Sequence, residues 1–157
     1  MRLLFLSSSR GNNNRRLKSL VGDWYKKGKI GYIPSFPDPF GVYFQQTKVW
    51  FQKQDPKGEL RYLDIFDKSV MWWAERLKEF SGFVITGGNP FTLLLGLKRS
   101  GMGDSLIQIA RETNKPILGI DEGGVVLTPE IGTHNDKGLH VVDFGFYPHY
   151  KKIDSGK

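Results

Sequence analysis

Cysteine is absent from the 157 residues. That excludes disulfides, thiolate-bound zinc, iron–sulfur clusters and every mechanism with a cysteine nucleophile. Long apolar runs are missing as well. None approaches the roughly 18 residues that suggest a membrane span, so no membrane association is expected. The opening Leu3-Leu4-Phe5-Leu6 is too short for the apolar core of a signal peptide. It reads as a buried first strand, and a cytoplasmic location is expected. Histidine is scarce. His134, His140 and His149 lack helix-type ligand spacing, and His134 with Asp136 is too sparse a set, so neither a metal nor a cofactor is expected.

Charge of one sign is in excess: 23 Lys plus Arg against 16 Asp plus Glu leave a formal +7. The bases fall in short clusters, Arg15-Arg16, Lys26-Lys27-Lys29, Lys98-Arg99 and Lys151-Lys152, separated by acids. No long basic run or RNA-binding motif appears, so no specific nucleic-acid binding is expected and the charge reads as a solvated surface. A hydrophobic fraction of 39% and an aromatic fraction of 13% argue for a globule. The length suits a single domain over residues 1–157 with a real core. Nineteen Gly and eight Pro without a period indicate many turns.

Strand and helix signals alternate. Leu3 to Ser7, Lys29 to Ile33, Leu60 to Phe66, Gly82 to Thr86 and Pro116 to Ile120 read as strands, and Leu139 to Phe144 as a later one. Gly82-Phe83-Val84-Ile85-Thr86 is continuously apolar, as a strand buried on both faces would be. Helices are expected over about 13–25, with Leu17, Leu20, Val21 and Trp24 inward, and over 42–54. Further helices are expected over 68–80 with Val70, Trp73, Ala74 and Leu77 inward, from Pro90 to about Lys98, and over 104–113. Three prolines in Pro34-Ser35-Phe36-Pro37-Asp38-Pro39 forbid regular structure there. The alternation implies an α/β fold, a mostly parallel sheet covered on both faces, with its site beyond the carboxyl ends of the strands.

Three segments that follow predicted strands carry chemistry. Thr86-Gly87-Gly88-Asn89-Pro90-Phe91 puts paired glycines at the head of a helix, where backbone N–H groups favour developing negative charge. Taken alone it is also an ordinary strand-to-helix turn. Gly119-Ile120-Asp121-Glu122-Gly123-Gly124 has the outline of a nucleophile elbow, with Asp121 at the centre where serine hydrolases have serine. Asp121 could also simply cap the next helix. Thr133-His134-Asn135-Asp136 and Phe146-Tyr147-Pro148-His149-Tyr150 offer His149 as a general base and Asp136 as its orienting acid, or as a loop acid in solvent.

Together the three resemble the peptidase E family, the α-aspartyl dipeptidases, whose fold is similar to class I glutamine amidotransferases. That family carries G-G-G-N-T-F, G-x-S-A-G-A, T-N-D and N-P-H-[FY] where this chain has Thr86 to Phe91, Gly119 to Gly124, His134-Asn135-Asp136 and Tyr147-Pro148-His149-Tyr150. The opening strand and Ile30 to Pro34 are similar too. The resemblance implies a three-layer α/β sandwich with a flavodoxin-like or class I glutamine amidotransferase-like sheet. It also implies serine-type removal of an N-terminal aspartate from small peptides.

Carried over, His149 matches the base and Asp136 the acid. Gly87, Gly88, Asn89 and the N–H of Glu122 match the oxyanion and substrate-binding turns. The serine position falls on Asp121. A carboxylate is a poor nucleophile toward an amide, and Glu122 adds a second acid, so impaired catalysis is expected. The alternatives are a hydrolase with an aspartate nucleophile, as in dehalogenase-type enzymes, or a non-catalytic protein that binds a small peptide, another small molecule or a partner. In the last case Trp50, Phe51, Trp72 and Trp73 are interface candidates, although such residues usually belong to the core. The resemblance further implies strands beyond the N-P-H motif, with an arginine for the acidic substrate side chain. The expectation is thus a sheet truncated at the C-terminus, whose exposed edge either a partner chain covers in a homodimer or a reduced sheet tolerates.

Overall fold

Five short segments become five parallel strands. A computed structural model describes residues 1–8, 15–54, 56–67, 72–132 and 136–149. The strands are β1 (Arg2–Leu6), β2 (Lys29–Ile33), β3 (Glu59–Tyr62), β4 (Phe80–Ile85) and β5 (Pro116–Ile120). Between them run α1 (Arg15–Trp24), α2 (Val42–Gln52), a single turn α3 (Trp73–Arg76) continued as 3-10 helix over Leu77–Glu79, α4 (Pro90–Ser100) and α5 (Met102–Glu112). After β5 come α6 (Glu122–Val125) and a two-residue hairpin of β6 (Glu130–Ile131) with β7 (Asp136–Lys137).

The sheet order is β1-β5-β4-β2-β3, parallel throughout. Period-two alternation splits the core. Ile30, Tyr32, Val84, Leu118 and Ile120 face α1 and α2, through Leu17, Val21 and Phe51. Ile33, Phe83, Ile85 and Ile117 face α3 to α6, through Trp73, Leu77, Leu93, Leu97, Leu106 and Val125. The result is a three-layer sandwich. From β2 the chain moves outward to β3, then returns past β2 to β4 and on to β5, so the neighbouring strands β2 and β4 send the chain in opposite directions. Loops leaving β2 and β4 therefore diverge to opposite faces and open a crevice, the place where ligands bind in such sheets.

Several local readings change. The region 68–80 supplies only one turn of α-helix, and residues 68–71 lie outside the described part. Trp73 and Leu77, four apart, reach the core, whereas Ala74 is exposed because so short a helix buries a single line of contacts. Phe80 belongs to β4. The strand expected over Leu139 to Phe144 does not form. Leu139 and Val141 are buried, as their alternation indicated, but their N–H groups bond to Val126 and Leu127 carbonyls at 2.8 Å, in the turns after α6. The alternation marks buried positions, but these N–H groups are spent on the turns after α6, and the segment meets the edge strand β1 through side chains, Phe144 and Phe146 against Phe5, rather than through a ladder. Of the tryptophan-rich positions, Phe51 and Trp73 are core, Trp50 is half-buried, and Trp72 is exposed.

Tyr25, just after α1, fastens that face to the sheet. Its ring packs edge-on against Phe51 at 5.3 Å, and its hydroxyl donates to the Phe83 carbonyl at 2.9 Å in full burial. Burial pushes the phenol far above its ordinary range. Above about pH 10 the unfolded chain therefore loses this proton before the folded chain does, and stability falls as pH rises, by up to ~1.4 kcal/mol per pH unit. Tyr25→Phe should cost about 1 kcal/mol at neutral pH through the lost hydrogen bond. Its deficit should then shrink between pH 10 and 11. Urea unfolding of both proteins across that range checks it, and a constant deficit would contradict it.

Candidate functional site

At the end of β5 the chain bends sharply. Asp121 sits at φ 51°, ψ −125°, a conformation that L-residues rarely adopt and that costs of order 1–3 kcal/mol. Its N–H is anchored to the Leu6 carbonyl at 2.8 Å, and α6 begins at once. Glycines surround it because space is lacking. A Cβ on Gly119 would lie 2.6 Å from Gly124 Cα, and one on Gly123 would run into the Ile85 carbonyl oxygen. The elbow read from the sequence is thus a steric necessity of packing α6 against β4 and β5.

The Asp121 carboxylate faces His149, with Oδ1 3.2 Å from Nε2. The Asp121 side chain is 22% exposed and that of His149 60%, so the pair lies at the mouth of the site. His149 itself has φ 60°, which aims this ring from a tight bend. Asp136 does not join them. It lies exposed in the β6–β7 hairpin, and among the described residues no hydrogen bond or ion pair connects it to His149. Thr133 to Asn135 and Tyr150, which complete two of the motifs, lie outside the described residues.

The loop after β4 supplies the other wall. Thr86 N–H bonds to the Ile33 carbonyl at 3.2 Å, and Gly87 O accepts the Ser35 hydroxyl. A Cβ on Gly87 would come within 2.6 Å of Asp121 Cβ, so the two loops touch. Gly88 has φ 142° and directs its N–H at Glu122 Oε2, 3.1 Å away. The backbone N–H of Glu122 stands at the first position of α6, where helix N–H groups have no intrahelical acceptor. Asn89 caps α4: its Oδ1 accepts from Phe91 N at 2.9 Å and Thr92 N at 3.0 Å, with Pro90 at the first helical position. Its oxygen is committed to structure.

Sequence reasoning passed over a cavity of about 420 Å³ opening at this point. Tyr32, Phe36, Tyr43 and Trp50 line it together with Asp38, Ser35 and the two loops just described. Asp38 holds the start of α2, accepting Val42 N at 3.0 Å and Phe44 N at 2.9 Å. Burial raises the Tyr32 phenol above its ordinary range, and the Asp38 charge adds to this. The available signal was position: Pro34 to Asp38 directly follow β2, where the chain leaving β2 parts from the chain leaving β4. Among the described residues no three His, Asp or Glu side chains gather to hold a metal, and no helix is long and apolar enough to cross a membrane.

Residues 3–156 match the profile of peptidase family S51. Peptidase E of Streptomyces coelicolor is 32% identical over 172 aligned positions, covering 99% of this chain and 67% of that protein. An uncharacterized peptidase of Listeria innocua is 33% identical over 104 residues, 58% of this chain and 49% of the relative, so the match spans about half the length of that protein. Among solved structures, a peptidase from an acI-B1 actinobacterium superposes with a TM-score of 0.71 at 16% identity, covering 96% of this chain and 69% of that one. A Listeria monocytogenes structure provisionally assigned to peptidase E gives 0.70 at 24%, covering 94% and 78%. Both are similar in fold.

Proposed function

Because the chain belongs to peptidase family S51, we propose that it is a single-domain, peptidase E-like protein. In this reading Asp121 stands at the nucleophile position and peptide hydrolysis is impaired. The observation that carries the reading is the elbow itself. Its apex holds a carboxylate 3.2 Å from His149, and the neighbouring Glu122 carboxylate accepts the Gly88 N–H. A hydroxyl at the apex would pass its proton to the imidazole and attack a peptide carbonyl. A carboxylate attacking an amide must form an anhydride, a far less stable acyl-enzyme than an ester. The oxyanion that develops would meet Gly88 N–H already bonded to Glu122, and two negative charges beside it.

With the aspartyl dipeptide Asp-Leu, amino-acid release by the purified protein should stay at the level of buffer alone. Turnover that disappears in His149→Ala would overturn the reading. A second reading has support from the same 3.2 Å contact. There Asp121 displaces a leaving group from an alkyl carbon, and water then hydrolyses the ester. An alkyl ester on Asp121, seen by mass spectrometry after incubation with an alkyl halide, would favour it.

A further inference from the structure

The chain as a whole is basic, +7, yet among the described residues the charged side chains lining the cavity between β2 and β4 are Asp38 and Asp121, the second of them 3.2 Å from the His149 ring at the mouth. They come from separate elements, the loop after β2 and the apex after β5. The Asp38 oxygens accept backbone N–H groups of Val42 and Phe44. The rest of the wall is aromatic, with Tyr32, Phe36, Tyr43 and Trp50. Phe36 and Tyr43 meet edge to face, centroids 4.9 Å apart at 83°. Aromatic faces attract cations through the ring quadrupole. One of the two donors that would greet an anion, Gly88 N–H, already bonds to the Glu122 carboxylate. Volume, ring walls and sign of charge therefore agree on one ligand chemistry.

We propose that this cavity binds a small organic cation: a primary ammonium or guanidinium carried on an apolar or aromatic body. Asp121 and Asp38 supply the countercharge, and the four rings pack on the body. The proposal rests on the reading of the cleft as the family's substrate site. It reverses the charge that an aspartyl side chain would bring there. A cavity of about 420 Å³ falls within the size range of small-molecule sites.

Calorimetric titration at pH 8 and low salt, with three probes of similar shape, tests it. 2-Phenylethylamine should bind about tenfold more tightly than 2-phenylethanol, and phenylacetate more weakly than either. Raising the salt to about 0.5 M should narrow the gap. Asp121→Asn should lose most of the ammonium preference and keep the alcohol's affinity. Equal binding of amine and alcohol, tightest binding of phenylacetate, or no amine binding up to about 10 mM would each overturn the proposal. So would a preference unchanged in folded Asp121→Asn and Asp38→Asn. If neither variant folds, the wild-type series decides alone. Asp-Leu turnover is followed in parallel. Turnover with the cation preference intact overturns only the impaired-peptidase reading; no turnover with no preference overturns only this one.

Discussion

The double variant Asp121→Ser/Glu122→Ala is expected to hydrolyse Asp-Leu at least about 10³-fold faster than the wild-type protein. Removing a catalytic serine from a working hydrolase costs about 10⁶, so restoring one has wide room to act. The two substitutions do different things. Serine at the apex replaces a charge by a hydroxyl on the same strained elbow, within reach of an imidazole that now lies 3.2 Å from Asp121 Oδ1; such contacts tighten when substrate binds. Alanine at 122 removes the carboxylate that accepts Gly88 N–H at 3.1 Å and frees that donor for an oxyanion. One oxyanion donor is worth roughly 10²–10³ in turnover, so Asp121→Ser alone should fall short of the double variant by about that factor. Adding His149→Ala should return the rate to the wild-type level. A folded double variant no faster than wild type would show that Asp121, His149 and Gly88 do not form a catalytic frame.

Gly123→Ala should be the most damaging single substitution for stability. The new Cβ would collide with the Ile85 carbonyl oxygen and approach Thr86 O to 2.9 Å. Both are backbone atoms at the end of β4, which is paired on either side with β2 and β5. They cannot retreat without breaking a ladder, so relief by a side-chain rotation is not available. A loss of at least about 3 kcal/mol is expected. For a chain of this size that lowers Tm by about 6–12 °C. Gly41→Ala makes the comparison. Gly41 has φ 65° and nothing within 4 Å of its Cβ, so that change carries only left-handed strain, about 1 kcal/mol. Calorimetric melting of the two variants separates collision from strain. A Gly123→Ala protein within 1 kcal/mol of wild type would mean that the elbow is not packed on β4 as described.

Much of the site was legible because its chemistry is local. Gly119, Gly123 and Gly124 flank Asp121 where the backbone is crowded, and Gly87-Gly88 directly follows a strand whose apolar run is continuous. His149 was a candidate from its place after Pro148, and it does face Asp121. Motif position alone makes Asp136 the orienting acid; the β6–β7 hairpin holds it exposed, and among the described residues no bond joins it to His149. Asn89 matched a binding turn, yet its oxygen is consumed by two helix N–H groups. The N–H donors at the start of α4, which have no intrahelical acceptor, decide where that oxygen bonds.

From the order of residues alone come the alternation of strand and helix, the apolar faces of α1 and α5, the sharp bend at 121 and the acid that occupies it. Each is set by neighbours a few positions apart, through period, propensity and glycine spacing. Strand order, the edge positions of β1 and β3, the missing partner for residues 139–144 and the acid-and-aromatic cavity arise only when distant segments meet. Ser35 and Asp38, about 50 positions before Gly87 and more than 80 before Asp121 in the chain, share a wall with them because β2 and β4 are neighbours whose connections leave in opposite directions. No local signal encodes that meeting. It follows from which arrangement of the strands buries both apolar faces at once.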